Sequence, residues 1–456
     1  MKDIPCLVEH IIQKLNTHGY DAYLVGGCVR DSLLGKTPKD WDITTSAKPQ
    51  EVINLLKDSL VVKAVIPTGI EFGTVTVVGL ANDSYEITTF RGDIYASDTG
   101  ISHLPKHVEY VTSLHEDLAR RDFTMNAIAY DITYKAYIDP YNGIKDIKDK
   151  TIKCVGDPAQ RFKEDPLRML RAIRFASVLN FSMALSVKVN IMANAKLIRH
   201  ISTERIREEF NKILLTDIGN VFYGNCSKAT SAIMKLIIPE FMDLNNVEQN
   251  NPYHCYNVYR HSIEATRIIE PQLHLRLAAL FHDLGKAITK TTDEKGIDHF
   301  SGHAKESAKI AEEIMKRLKY DNKTIKNVTA LIHHHDRRIE LKNTAIKRAM
   351  NDIGEDMFFD FCLLRYADIT AQSLQYSKAR IKKIFEIENR AHEILDSKQP
   401  FQLKDLVVNG NDLIALGFKP GPHLGQVLNV LLNHVIEDAD LNDKGFLLKV
   451  ASSYLI

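Results

Sequence analysis

No stretch of this 456-residue chain approaches the roughly 20 consecutive apolar residues of a membrane-spanning helix, and Met1-Lys-Asp-Ile-Pro-Cys6 lacks the charged-then-apolar pattern of a secretory leader. A soluble cytoplasmic protein is the expectation. Cysteine is sparse: six residues, at 6, 28, 154, 226, 255 and 362, with no Cys-x-x-Cys pair, which argues against a disulfide scaffold and a thiolate zinc knuckle. There is no internal repeat and no low-complexity tract. Net charge is nearly absent too, since 59 Lys and Arg balance 58 Asp and Glu. No global field draws in nucleic acid, so an RNA path has to be a local stripe, for which the arginine-rich stretch 161–174 is a candidate.

What is present begins with Tyr23-Leu-Val-Gly-Gly-Cys-Val-Arg-Asp31, read as a strand, a two-glycine turn and a helix start. Gly26 and Gly27 would let backbone N–H groups approach a phosphate chain, and Arg30 follows just past the turn. Asp40 and Asp42, in Asp40-Trp-Asp42, alternate along a strand-like run and would project from one face. Two adjacent carboxylates repel unless cations lie between them, so hard divalent ions with a triphosphate suit this pair. Glu71 and Glu86 lie on strand-like runs and either is a candidate third carboxylate. The plainer alternative is a tight turn and two surface aspartates.

Further along stand Tyr85-Glu-Ile-Thr-Thr-Phe-Arg91, Asp117-Leu-Ala-Arg-Arg-Asp-Phe-Thr-Met-Asn-Ala127, Asp139-Pro-Tyr-Asn-Gly143, Glu164-Asp-Pro-Leu-Arg-Met-Leu-Arg-Ala-Ile-Arg-Phe175 and Glu204-Arg-Ile-Arg-Glu-Glu-Phe210. In order and wording this set resembles the class II tRNA nucleotidyltransferases, the CCA-adding enzymes, a family that also includes bacterial poly(A) polymerases. The resemblance is strong from about 20 to about 215 and weaker in the tail, at Val408-Asn-Gly-Asn-Asp-Leu-Ile-Ala-Leu-Gly417 and Lys419-Pro-Gly-Pro-His-Leu-Gly425.

The resemblance implies template-independent addition of CCA to the 3′ end of tRNA from CTP and ATP, with Mg2+ held by Asp40 and Asp42 as catalytic residues. It implies that Asp165 and Arg168 read the incoming base. A carboxylate accepts from an exocyclic amine and a guanidinium donates to an unprotonated ring nitrogen or a carbonyl, a pattern cytosine and adenine share and uracil and guanine reverse. On residues alone, Asp165 would cap the helix that Pro166 opens, and Arg168 would pair with it for a few tenths of a kcal/mol. Arg121 matches the family's other nucleotide-binding arginine; the plain alternative is an ion pair with Asp117 or Asp122. Gly27, Arg30, Arg171 and Arg174 would neutralise phosphate charge. The segment after Arg91-Gly-Asp93, which in the family assists the switch from C to A addition, is here longer and lacks the usual arginine. Its presence favours full CCA addition.

A separate constellation comprises His261, His282-Asp283, His303, His333-His-His-Asp336 and Asp368. Phe281-His-Asp-Leu-Gly-Lys286 and Ser301-Gly-His-Ala304 resemble the HD phosphohydrolase superfamily. The resemblance implies a divalent metal (Mn, Fe, Ni, Co or Mg) on His261, His282, Asp283 and Asp368, with His303 and His335 able to hold a second ion. His335 fits best, with His333 and His334 left as alternatives. Adjacent His282 and Asp283, if helical, diverge by about 100° and ligate only from an inward edge.

The expected architecture is multidomain: an α/β nucleotidyltransferase head (1–147), then an all-α neck (148–248), an HD domain (249–375) and a helical tRNA-binding tail (376–456). Partners are tRNA, ATP and CTP, with no DNA and no membrane. Competing readings are a poly(A) polymerase, an HD phosphohydrolase whose head only docks RNA, and an inactive RNA-binding module. Oligomeric state and the substrate of the HD site are not legible in the sequence.

Overall fold

The computed structural model describes residues 1–94, 107–224 and 226–455. The segment at 95–106, expected to bear on the switch from C to A addition, lies outside these residues. The chain divides into two compact units, Met1–Pro239 and Glu240–Ile456. Of the four expected blocks, the division near 248 lies close to this boundary. The cuts at 147 and 375 fall inside units. Around the first, Thr124 N donates to Lys153 O and Phe123 forms a β-bridge with Cys154. Around the second, Ser373 N donates to Tyr253 O, tying the last helix of the histidine region to its beginning.

Among the described residues the first unit carries nine strands in its N-terminal part: β1 (Ala22–Val25), β2 (Asp42–Thr45), β3 (Val62–Gly69), β4 (Thr74–Gly79), β5 (Ser84–Thr89), β6 (Arg91–Ile94), β7 (His107–Tyr110), β8 (Ala129–Asp131) and β9 (Ala136–Ile138). Seven form one sheet in the order β3-β4-β5-β2-β1-β8-β9, and β6 pairs with β7. The strand-like run expected around Glu86 corresponds to β5. In β4 and β5 buried Val75, Val77, Tyr85 and Ile87 alternate with less buried neighbours, the period-2 pattern of a sheet with one covered face.

Register places the site. β1 runs antiparallel to β2 with Val25 opposite Asp42, and β2 runs parallel to β5 with Asp42 opposite Glu86. The Gly26-Gly27 turn leaving β1 is therefore set beside the first residue of β2. The Asp139-to-Gly143 motif is structural: Asp139 accepts from Gly143 N and Ile144 N, and a Cβ on Gly143 would collide with the Thr124 carbonyl.

Helices follow, chief among them Leu167–Leu179 and Thr203–Leu214, which pack together within this unit. Strand structure after residue 150 shrinks to two-residue pairs. The second unit is helical. Val258–Ile268, Leu273–Phe281, His303–Arg317, Asn322–His334, Glu355–Thr370 and Leu374–Asp396 surround the histidines, and Pro422–Glu437 opens at Gly421-Pro422, within the tail segment quoted above. Among the described residues no helix is long and apolar enough to cross a membrane.

Candidate functional site

In the first unit one cavity of about 730 Å³ gathers Gly27, Arg30, Asp40, Asp42, Arg121, Asp165, Arg168, Arg171 and Arg174, whereas the candidate third carboxylates Glu71 and Glu86 do not line it. Asp42 begins β2, but Asp40 lies in a bend two residues earlier and is exposed. The two share the cavity without sharing a strand, which corrects the expected one-face alternation. Glu86 joins them across the β2/β5 register, whereas Glu71 lies in the 3-10 turn Ile70–Phe72 and not on a strand.

Burial raises the pKa of Asp42; Arg121 opposes this, and the like charges of Glu86 and Asp40 add to it. A half-buried carboxylate destabilised by two others is the donor set that fits a hard divalent cation. Gly26 stands at φ +79, a left-handed conformation that favours glycine, and a Cβ there would lie 3.4 Å from Arg121 Nη1 and 3.5 Å from Asp42 Oδ2. The turn thus holds backbone, carboxylate and guanidinium close together.

The cationic wall is tethered. Arg121 donates to Asp117 Oδ2 at 3.0 Å, the ion pair foreseen as its plain alternative, yet it also faces Asp42 across the Gly26 turn. Arg30 donates to Asp31 and, at 2.8 Å, to Asn126 Oδ1. Asn126 in turn donates to Asp122 Oδ1 at 3.1 Å, and Asp122 Oδ2 accepts from Arg171 at 2.8 Å. Burial opposes the Asp122 carboxylate, but Arg171, Asn126 and Arg168 outweigh it and bring its pKa down to about 2. Arg174 pairs with Glu209 at 2.6 Å and lies 4.1 Å from the centroid of the Phe175 ring, which Arg30 and Arg171 also approach.

Asp165 and Arg168 each engage other partners. Asp165 does cap: its Oδ1 accepts from Leu167 N at 3.1 Å, while Oδ2 takes Arg205 at 3.0 Å. Arg168 is buried, pairs with Glu164 at 2.9 Å and donates to the Arg120 carbonyl at 2.8 Å. Sequence reading missed Asn126, Arg205 and Phe175 as wall residues and Glu164 as the partner of Arg168. The motif spacing signalled their presence but not their partners, which lie up to 96 positions away.

The second unit brings together His261, His282, Asp283, His303, His335 and Asp368, all buried. His261 Nε2 lies 3.1 Å from Asp368 Oδ1 and 3.3 Å from His282 Nε2; His282 Nε2 lies 3.2 Å from Asp283 Oδ2. On the other side of Asp283, Oδ1 is 3.4 Å from His303 Nε2 and 3.7 Å from His335 Nε2. Two triads therefore form, each compact enough for one ion, with Asp283 common to both. His282, His303 and His335 turn Nδ1 to the carbonyls of Ala279, Phe300 and Ile332 at 2.7–2.8 Å, which leaves each Nε2 aimed inward, the orientation of a ligating imidazole.

His282 and Asp283 lie in the turn after Leu273–Phe281 and not within a helix, so the expected angular divergence does not apply and both side chains face the cluster. His335 is the member of the triple histidine in the cluster; His333 and His334 lie outside it, their rings edge-on to each other. Lys286, missed in the sequence reading, places Nζ 2.7 Å from Asp283 Oδ2. Burial disfavours the Asp283 carboxylate, but His282 and Lys286 hold its pKa well below the ordinary range.

Comparison with known proteins defines the class. The poly A polymerase head domain matches residues 22–153, the probable RNA and SrmB-binding site of polymerase A matches 180–222, and the putative tRNA nucleotidyltransferase domain 2 matches 288–451. The fold is that of a nucleotidyltransferase. The CCA-adding enzyme of Anoxybacillus flavithermus is 48% identical over 205 residues, 45% of this chain and 49% of that one, so the chain matches about half the length of this relative. The CCA-adding enzyme of Pediococcus pentosaceus is 32% identical over 447 residues, 97% of this chain and 96% of that one. The crystal structure of the Bacillus stearothermophilus CCA-adding enzyme in complex with CTP superposes with TM-score 0.69 at 28% identity, covering 98% of this chain and 96% of the other. The chain belongs to the CCA-adding enzyme family.

Proposed function

We propose that the protein adds CCA to the 3′ end of tRNA without a nucleic-acid template, using CTP and ATP. The observation that carries this reading is the convergence in one cavity of the Asp40/Asp42 carboxylates, the glycine turn and the Asp165/Arg168 pair, in a chain whose full-length relatives are CCA-adding enzymes. Asp40 and Asp42, with Glu86 alongside, would hold Mg2+, which supplies activation of the attacking 3′-hydroxyl and charge neutralisation on the pyrophosphate. Arg30, Arg121, Arg171 and Arg174 offset phosphate charge from fixed positions, because each is anchored by a carboxylate or amide. The backbone at Gly26 and Gly27 admits the phosphates closely. Asp165 accepts from the base amine and Arg168 donates to the adjacent acceptor, which selects cytosine and adenine. The helical tail holds tRNA by its phosphates.

The test is incorporation of each nucleoside triphosphate, alone and mixed, into tRNAs ending at each of the truncation points of the CCA terminus. C onto the first two ends and A onto the third is the expected pattern.

The six-residue cluster of the second unit supports an additional activity, metal-dependent hydrolysis of phosphate esters. Its inward Nε2 atoms and shared carboxylate fit Mn, Fe, Ni, Co or Mg. Such a metal would polarise the phosphoryl group and activate water. The substrate class this reading favours is a phosphomonoester or a 2′,3′-cyclic phosphate, an RNA end that cannot accept a nucleotide until a hydroxyl is restored. Release of phosphate that depends on added metal and on Asp283 tests it.

A further inference from the structure

Three apolar side chains line the cavity of the first unit among the described residues, Leu167, Phe175 and Phe72, and every other wall side chain is charged or an amide. Two of the three are occupied by packing. Leu167 is 7% exposed and Phe175 6%; the Phe175 ring meets Phe123 edge-on at 5.7 Å and takes the Arg174 guanidinium 4.1 Å from its centroid. Phe72 is 36% exposed. Among the described residues it is the one aromatic face of this cavity that a ligand can reach.

The ring stands on a fixed turn. Phe72 ends the 3-10 turn Ile70–Phe72; Arg91, itself on the cavity wall, donates from Nη1 to the Phe72 carbonyl, and Tyr110 Oη donates to the Ile70 carbonyl at 3.4 Å. Gly73, next in the chain, stands at φ +78, a left-handed conformation that favours glycine, and Thr89 N donates to its carbonyl at 2.9 Å. β4 then starts at Thr74 and pairs with β5, the strand that sets Glu86 opposite Asp42. Phe72 therefore belongs to the sheet that carries Asp42, whereas Asp165 and Arg168 stand at the start of the helix Leu167–Leu179.

Two bases have to be held during transfer, that of the incoming nucleotide and that of the acceptor's 3′-terminal nucleotide. They make opposite demands. The incoming base must be chosen, which needs hydrogen-bonding groups of fixed polarity such as Asp165 and Arg168. The acceptor's terminal base changes from step to step, being whichever base precedes CCA, then C and then C again, so a polar reader would reject some of them. Stacking on a ring tolerates any base, because every base has a π-face. We infer that Phe72 is the platform on which the terminal base of the tRNA acceptor stacks, bringing its 3′-hydroxyl to the carboxylate side of the cavity. The inference rests on the CCA-addition reading and adds to it a residue that holds the acceptor and takes no part in proton or metal chemistry.

The experiment compares the parent with Phe72→Leu, which keeps an apolar side chain without a π-face, and Phe72→Tyr, which keeps the ring. Two acceptors are used, a tRNA ending at the first C of the CCA terminus and the same tRNA lacking that terminal base but retaining its ribose and 3′-hydroxyl. With CTP and Mg2+, removal of the base should lower kcat/KM for the tRNA about tenfold in the parent and in Phe72→Tyr, the order of one base–aromatic stack, but by less than about twofold in Phe72→Leu. On the intact acceptor, Phe72→Leu should itself lose about the same tenfold, with the KM for CTP and the preference for CTP over UTP unchanged. If removing the base costs the same in the parent and in Phe72→Leu, or if Phe72→Leu changes only the KM for CTP, the inference is overturned and the CCA-addition reading stands. A folded parent that adds C to neither acceptor contradicts the CCA-addition reading. Fluorescence anisotropy of the two labelled tRNAs then decides the inference: the parent binding the intact one at least about threefold tighter, with no such preference in Phe72→Leu, supports it, and the same ratio in both proteins overturns it.

Discussion

Arg205 Nη2 stands 3.0 Å from Asp165 Oδ2, an ion pair spanning 40 positions that ties the helix Thr203–Leu214 to the residue preceding Pro166. Because Oδ1 is engaged by Leu167 N, both oxygens of the carboxylate proposed to read the base are held, and their remaining lone pairs point in a fixed direction. Arg205→Ala should leave transfer chemistry intact but lower the preference for CTP over UTP by about tenfold, the lower end of bidentate base discrimination. The ratio of kcat/KM values for the two nucleotides reads this. An unchanged ratio would mean that Asp165 needs no such support.

Loss of the carboxylate itself should go further. Asp165→Ala should admit UTP and GTP as competitors of CTP and ATP. Arg168→Ala should do the same and also lower stability by about 3 kcal/mol, since it strips a buried ion pair from Glu164. Competition assays with all four nucleotides, alongside urea unfolding, separate the two effects. Full discrimination in either variant would return these residues to the roles of helix cap and ion pair.

Asp42→Asn keeps the size of the side chain and removes its charge. Transfer should fall by about a thousandfold or more while affinity for tRNA changes by about twofold at most, because what is lost is a candidate metal ligand and not a phosphate contact. Single-turnover rates and filter binding measure the two quantities. Near-parental transfer would contradict the assignment.

Asp122 links chemistry to stability. Its pKa falls from the usual 3.8 to about 2 in the folded protein, a depressed carboxylate. Its contribution, about 2 kcal/mol by linkage, is present above the unfolded-state value and lost as pH falls toward 2. Asp122→Asn should therefore lower stability by about that amount at pH 7, and the gap to the parent should narrow below about pH 4. Denaturant unfolding across that range checks the sign. A gap that widens as pH falls would contradict it.

In the second unit, Asp283→Ala removes the residue common to both triads. Metal bound per chain, measured by elemental analysis after dialysis, should drop to background, while CTP incorporation stays within about twofold of the parent. Retention of metal would show that Asp283 is not the shared ligand.

The sequence carried the α/β head and the cavity lining well, because the strand before Gly26-Gly27, the turn itself and the motif order are local signals. It carried the pairings poorly. Arg168 reads as the partner of Asp165 because i and i+3 are neighbours on a helix, but Asp165 lies before the helix and its free oxygen finds Arg205 across a tertiary contact. Asp40 reads as strand by alternation, yet β2 begins only at Asp42, where pairing with Val25 and Glu86 starts. His335 is preferred to its two neighbours on wording alone, and its burial sets it inside the cluster. Asn126, which joins Arg30 to Asp122, has no signature beyond its place in a motif.

The most direct measurement is the sequence of the 3′ ends produced when the purified protein, Mg2+ and all four nucleoside triphosphates act on tRNA lacking its CCA terminus. The account predicts ends completed to CCA and then left unextended, with U and G absent. Tracts of A, indiscriminate addition, or unextended tRNA from active, folded protein would contradict it.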